Sequence, residues 1–351
     1  MKKKVLCLFL GICLCISFAF PLYAIDGPIN ANDDAELVTP TLEITTIPTG
    51  AAAIAHNLTT NQTYYYRING NILSNNDDEI FAEPGWMPET YSVDGVIGND
   101  NRERVSSDQL QEAPFSAIAY IETIYPNGQR SKGTATMISP NAAVTAAHCL
   151  YNSQRGGWPT QITIFPAVNG SIDFLNYPYG SATATEVVIS IPYFESGRGA
   201  QWDWGVIRLN SNIGNASGFL GFQCIESSLE ATPIMISGYP GDLNDYWETR
   251  DQFYHNHRIA SDNSYQINAS NGTVYDCRHL TYKVDTARGQ SGSAILYNNN
   301  GVYQIIGIHS QGYYPDDGDG NPDNDYVCIR NDGFGFTSQV FHFLLSYKNN
   351  S

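Results

Sequence analysis

The sequence predicts an all-β chain whose strands close into barrels or pack as a sandwich, finished by one C-terminal α-helix. Three observations carry that reading. Short apolar or alternating runs recur between Gly, Pro and Asn turns from Pro114 onward. No stretch before residue 330 sustains an apolar period of 3.6 residues, and the residues after Thr337 do. Many short, evenly spaced strands with few helical segments belong to barrels and sandwiches.

In chain order, Lys2, Lys3 and Lys4 precede an apolar run from Val5 to about Phe20, which ends in Pro21-Leu-Tyr-Ala24. A positive start, a short apolar stretch and a small final residue describe a secretory signal peptide over residues 1–24. The competing reading, a membrane anchor, calls for a longer span. Residues 25–94 carry eleven acids against a single base, Arg67, and one β-like patch at Tyr64–Ile68. They are expected to be a pro-segment, the alternatives being a small independent domain or a linker. Residues 95–351 are expected to form the functional domain. Its strand signals include Phe115–Tyr125, Gln161–Val168, Thr185–Ile191, Pro233–Tyr239, Leu280–Val284 and Val302–His309. The last helix takes Thr337 or Ser338 as N-cap, places Val340, Phe341, Leu344 and Leu345 on one face, and has Lys348 in its last turn.

Composition narrows the function. Of 351 residues, 42% are hydrophobic and only 15% charged, with 31 Gly and 17 Pro, which excludes a disordered chain, a collagen-like repeat and a charge-laced coiled coil. A formal charge of −17 argues against nucleic acid as a partner, because phosphate contacts need clustered Lys and Arg. Once the leader is removed, no segment suggests a membrane partner. Cys149, Cys224, Cys277 and Cys328 remain, an even number for which disulfides are allowed in an exported chain but not required.

Three strings point to chemistry: Val144-Thr-Ala-Ala-His-Cys149, Trp202-Asp-Trp-Gly-Val-Ile-Arg-Leu209 and Gly289-Gln-Ser-Gly-Ser-Ala-Ile295. A serine hydroxyl is too weak an acid to attack a peptide bond without a general base. Histidine, with an ordinary pKa of about 6.5, takes and returns a proton at neutral pH. A buried carboxylate holds the imidazole in the useful tautomer. His148, Asp203 and Ser291 supply these types in that order, 55 and 88 residues apart. Small residues before His148 allow close backbone packing, and Trp202 and Trp204 are expected to screen Asp203 from water. Gly289 and Gly292 allow a tight turn in which the N–H groups of Gly289 and Ser291 converge on a developing oxyanion.

With Gly133-Thr-Ala-Thr-Met-Ile-Ser-Pro140, Ile236-Ser-Gly-Tyr-Pro-Gly241 and Gly307-Ile-His309 added, residues from about Gly95 to the final helix resemble the bacterial glutamyl endopeptidases, secreted chymotrypsin-fold serine proteases. The resemblance implies two antiparallel six-stranded β-barrels with a cleft between them, His148 as base, Asp203 as its orienter and Ser291 as nucleophile. It implies cleavage of protein or peptide substrates after Glu, less readily Asp, with Thr286 and His309 reading the substrate carboxylate. Gly95-Val-Ile-Gly-Asn-Asp100 followed by Arg102 resembles the family's mature N-terminus, so a cut after Asp94 is expected to free Gly95 and complete the pocket. Two departures stand out. Arg288 occupies a position where the family commonly has glycine. The strand Gly133–Ser139 lacks the cysteine that bridges to Cys149 in the wider fold. Gln290, preceding the serine, cannot form the ion pair that an aspartate there makes in trypsin-like zymogens.

No cofactor is expected. Asp317, Asp319, Asn321 and Asp323 alternate as calcium ligands do, but Pro322 replaces the turn glycine and Cys328 falls where a final acid belongs, so a solvated acidic loop is the competing reading. With no assembly signature, a monomer is the default. The alternative functions are the same protease with another primary specificity and an inactive barrel used as a binding module.

Overall fold

Two rings of six antiparallel strands, each built from consecutive strands, make up most of the computed structural model. It describes residues 35–38 (backbone only), 47, 49–68, 95–171, 175–197, 199–244, 248–269, 272–313 and 328–349. Four strands come first: β1 (Ala35–Val38), β2 (Ala51–Asn57), β3 (Gln62–Ile68) and β4 (Glu103–Arg104). The first barrel holds β5 (Ile118–Ile124), β6 (Arg130–Ser139), β7 (Ala142–Thr145), β8 (Gln161–Pro166), β9 (Ala182–Ser190) and β10 (Gly205–Leu209). After β11 (Gly221–Phe222), the second holds β12 (Pro233–Gly238), β13 (Phe253–Asn268), β14 (Val274–Tyr282), β15 (Ala294–Asn299), β16 (Val302–Tyr313) and β17 (Arg330–Gly335). Among the described residues the α-helices are α1 (Ile191–Ser196), α2 (Gly214–Ser217) and α3 (Ser338–Asn349).

The first ring runs β9–β10–β7–β6–β5–β8 and closes where Thr163 and Ile164 pair with Thr183 and Ala182. The second runs β12–β13–β14–β17–β16–β15 and closes where Met235 and Ile236 pair with Leu296 and Ile295. Closure removes the open edges that would otherwise template aggregation. The expected barrels are thus present, and the anticipated strand signals fall in β5, β8, β9, β12, β14 and β16.

Some elements differ from the sequence reading. Phe115–Ala117 forms a 3-10 turn ahead of β5 rather than part of the strand. The 16-residue β13 gave no signal, because it is polar and largely exposed on both faces. The residues sealed under α3 are Val340, Phe343, Leu344 and Tyr347, whereas Phe341 and Leu345 are only partly buried. The reason is the partner surface: Phe343 packs between Trp204 (5.3 Å between ring centroids) and Tyr66 of β3 (5.6 Å), which sets the face the helix buries. Thr337 is the N-cap, accepting from Val340 N at 3.3 Å.

Strands β2 and β3 form a hairpin that continues the first barrel's sheet beyond β9, with Ala51–Ala55 at 0–3% exposure in the main apolar core. The patch Tyr64–Ile68 is its second strand. Residues 1–24, expected to be a signal peptide, and the acidic run Asp317, Asp319, Asn321 and Asp323 lie outside the described residues. Among the described residues, no three His, Cys, Asp or Glu side chains are grouped to hold a metal ion. Phe343 has no exposed surface, so Phe343→Ala should cost about 3–5 kcal/mol and lower the thermal midpoint, as read by calorimetry.

Candidate active site

Strand register brings His148 and Asp203 together. In the β7–β10 pair, Thr145 faces Gly205, so the chain just beyond one strand meets the chain just before the other. The approach needs small side chains, and Ala143, Ala146 and Ala147 have no exposed surface. Asp203 is the central residue of an inverse γ-turn, at φ −82° and ψ 69°, closed by Trp204 N donating to Trp202 O at 3.0 Å.

That turn aims the carboxylate at the histidine. Asp203 Oδ1 accepts from His148 N at 3.0 Å, and Oδ2 lies 2.7 Å from His148 Nδ1. A carboxylate only accepts, so Nδ1 carries the proton and Nε2 is left as the basic atom. Oδ2 also accepts from Ser310 Oγ at 2.5 Å. The Asp203 side chain is 3% exposed and that of His148 28%, so the acid is sealed while the base opens to solvent. Trp204 is buried and Trp202 partly so. Burial opposes charge on Asp203, but the imidazole and the hydrogen bonds from His148 and Ser310 hold its carboxyl below the usual range. Burial likewise opposes charge on His148, and the Asp203 carboxylate overrides it, raising the imidazole well above 6.5.

Ser291 lies in the turn between β14 and β15. Its carbonyl accepts from Thr134 N at 2.9 Å, and Cys149 Sγ sits 3.7 Å from the same oxygen, which seats the serine against the residue after His148. Thr134 Oγ1 donates to Gly289 O at 2.8 Å, so one buried threonine of the first barrel grips both ends of the Gly289–Ser291 turn. Gly289 and Gly292 have φ of +103° and +86°. A Cβ on Gly292 would collide with Thr145 Oγ1 and the Thr134 carbonyl, and one on Gly289 with the Tyr239 carbonyl. Gln290 folds back inside the turn: Ala287 N donates to its Oε1 at 3.0 Å, and Arg102 Nη1 lies 3.5 Å from that oxygen. The Arg102 side chain is sealed and pairs with Asp100 at 2.7 Å and Asp242 at 2.6 Å.

His309, on β16, is fully buried, donates its backbone N–H to Ser293 O at 2.8 Å and accepts from Gly292 N at 2.9 Å. Its Nδ1 is 2.8 Å from Tyr282 Oη. Thr286 is also fully buried, and its hydroxyl has no hydrogen-bond partner among the described residues. Its amide donates to Gly95 O at 3.3 Å. Gly95 is held further by Asn331, whose Nδ2 donates to Gly95 O at 2.8 Å and whose Oδ1 accepts from Gly95 N at 3.3 Å. Asp285 anchors the following residues, accepting from Ile97 N at 2.8 Å and Asn101 N at 2.9 Å. Arg288 is exposed, and its carbonyl accepts from Gly241 N at 2.5 Å.

The sequence reading missed Thr134, Ser310, Asn331 and Arg102. Three of them lay beside residues already singled out, without a role: Thr134 within the Gly133–Pro140 string, Arg102 just after Asp100, and Ser310 after His309. All four remaining cysteines are free thiols. Gly133 explains this for Cys149: a Cβ on Gly133 would lie 2.9 Å from Cys149 Sγ, too close for an unbonded carbon but suited to a Cβ–S–S linkage. Gly133→Cys should therefore bond to Cys149 on oxidation, and the count of reactive thiols under denaturing conditions should be one fewer than in the unchanged chain.

The trypsin family model matches residues 97–327. Over 74% of its length the chain is 31% identical to the glutamyl endopeptidase of Bacillus licheniformis, covering 71% of that protein. It is 32% identical over 64% of its length to a Bacillus subtilis protein named extracellular metalloprotease, covering 64% of that chain. Among solved structures, a Glu endopeptidase in complex with MPD superposes with a TM-score of 0.56 at 29% identity, over 72% of this chain and 99% of that one. The thermostable serine protease AL20 from an extremophilic microorganism gives 0.50 at 16% identity, over 68% and 99%, and speaks to the fold. With its two barrels, the motifs that lie across them and these matches, the chain belongs to the trypsin family of serine proteases, is close to the glutamyl endopeptidases, and acts on protein substrates.

Proposed function

We propose that the chain is a secreted endopeptidase that cleaves after Glu, and less readily Asp, with Ser291 as nucleophile, His148 as general base and Asp203 as its orienter. The observation that carries the catalytic part is the sealed Asp203 carboxylate bound to both His148 N and Nδ1. Ser291 Oγ attacks the scissile carbonyl and passes its proton to His148 Nε2. The amides of Gly289 and Ser291 stabilise the oxyanion, a contribution of about 3–4 kcal/mol for one donor. The intermediate collapses with loss of the amine, which takes the proton from His148, and water then hydrolyses the acyl-enzyme by the same route.

The buried Thr286 hydroxyl without a partner among the described residues supports an acidic specificity, since an orphaned polar group costs free energy until a ligand satisfies it. His309, whose backbone bonds Gly292 and Ser293 just after Ser291, supplies a second polar side chain. The Bacillus licheniformis relative is itself named a glutamyl endopeptidase, and export is supported by the Lys-rich apolar leader and by a relative named extracellular. Residues 25–94 are the pro-segment and 95–351 the protease. A cut after Asp94, an acidic residue the enzyme itself would accept, leaves a Gly95 amine beside Asn331 and Thr286. All the groups invoked belong to one chain, which suits a monomer.

A peptide series varying only the residue before the scissile bond should give kcat/KM at least about 100-fold higher for Glu than for Gln. Equal rates for Glu, Gln and Leu would remove the specificity. A fluorophosphonate should label the enzyme and fail to label Ser291→Ala; equal labelling of both would remove the nucleophile assignment. The base must be neutral to accept a proton, and His148 is raised above 6.5, so kcat/KM should climb with pH through that raised value and be lost below it. Asp203→Asn removes the charge that raises it. Its acid limb should move to lower pH, while kcat falls on the order of 10⁴-fold.

A further inference from the structure

The hairpin of β2 and β3 belongs by sequence to the pro-segment and by packing to the enzyme. β9 offers two successive stretches of one edge. Its first residues pair with β8, and Glu186–Ser190 pair in antiparallel register with Asn57–Ala53 of β2. Without β2, that second stretch would be an open strand edge beside Val187, Val188 and Ile189, none of which has exposed surface.

The hairpin is also tied to the second barrel and to α3. Gly50 N donates to Thr273 Oγ1 at 2.7 Å, and Tyr275 Oη donates to the Ala51 carbonyl. Tyr66 meets Phe343 and Tyr347 edge-on at 5.6 and 6.2 Å between ring centroids. On the far side, the His56 ring stacks on Trp158 at 5.3 Å. Five residues with at most 3% exposure, five strand pairs and contacts to both barrels describe a core element rather than a detachable cover.

It also stands behind the catalytic carboxylate. Ala53 pairs with Ser190, the Ser190 hydroxyl donates to Trp202 O at 2.5 Å and accepts from Tyr193 N at 3.2 Å, and Asp203 is the next residue after Trp202. β2 thus fixes the end of β9 from which the Asp203 turn hangs.

Resting on the maturation reading above, we propose that residues 49–68 stay bound after the cut near Asp94, as a noncovalent strand pair that completes the first barrel's edge and positions Asp203. The mature enzyme is then two polypeptides folded as one domain. The occupant of the β9 edge is this chain's own hairpin, held by main-chain hydrogen bonds and apolar burial.

The full-length precursor is matured, the active fraction isolated by native size exclusion, and its polypeptides identified by denaturing mass spectrometry and N-terminal sequencing. The expected result is a large polypeptide starting near Gly95 together with an equimolar smaller one that contains residues 49–68. Fully active enzyme starting near Gly95 with no such companion overturns the proposal and leaves the maturation reading intact. An active chain with no cut between residues 69 and 94 overturns the maturation reading and, with it, the two-chain form. In a second measurement the small polypeptide is stripped in mild denaturant and a synthetic peptide of residues 47–68 is added on return to buffer. The stripped enzyme should lose at least tenfold in kcat with KM little changed, and the peptide should restore it. Unchanged kcat after complete stripping overturns the positioning role, and so does failure of the peptide to restore it.

Discussion

A carboxylate held almost dry is the constraint around which this molecule is arranged. Taking an ionised Asp out of water is expensive unless every lone pair finds a donor and a countercharge stands by. Asp203 meets that demand with the His148 amide, the His148 ring and the Ser310 hydroxyl. The first two come from the chain after β7 and the third from β16, so one side chain joins the two barrels. The γ-turn, the run of small residues before His148 and the Trp204 ring packed on Phe343 and Phe334 all follow from the need to seal that group while leaving the imidazole open on one side.

Thr134 solves the matching problem for Ser291, the proposed nucleophile. A serine presented on a turn with two glycines at positive φ has little intrinsic stiffness, yet catalysis tolerates errors of only a fraction of an ångström. Binding both the Gly289 and Ser291 carbonyls to one threonine on β6 passes the rigidity of a closed barrel to the turn. The cleft is therefore set by hydrogen bonds across the barrel interface rather than by each barrel alone.

What was legible in the sequence divides along the same line. His148, Asp203 and Ser291 stood out because the proposed chemistry restricts each position to one residue type with recognisable neighbours. Thr134, Ser310 and Asn331 serve by binding backbone groups or a carboxylate in a fixed register, a task open to several small polar residues, so residue type alone does not give their roles. The apolar strands of both barrels were visible as alternating or apolar runs, whereas β13 is polar on both faces. β2 is Ala-Ala-Ala-Ile-Ala-His-Asn, poor in the β-branched and aromatic residues that announce a strand. It is a strand because β9 and β3 both bind it, which only the folded chain reveals.

Gln290 and Arg102 separate two tasks that a single ion pair combines in trypsin-like zymogens. There, the freed amine pairs with an aspartate before the serine and so orders the oxyanion turn. Here that position is a neutral amide turned inward to Ala287 N, and the nearby positive charge is Arg102, sealed beneath the turn and held by Asp100 and Asp242. A guanidinium needs no cleavage to carry its charge, so the turn is ordered in the uncut chain. Gly95 instead touches Asn331 and the Thr286 amide, on the wall of the proposed specificity pocket. On the proposed maturation, the cut therefore adds a positive amine where the substrate carboxylate is read and leaves the catalytic groups as they were. Activation of this kind acts on recognition of the acidic residue, with the machinery for bond cleavage already assembled.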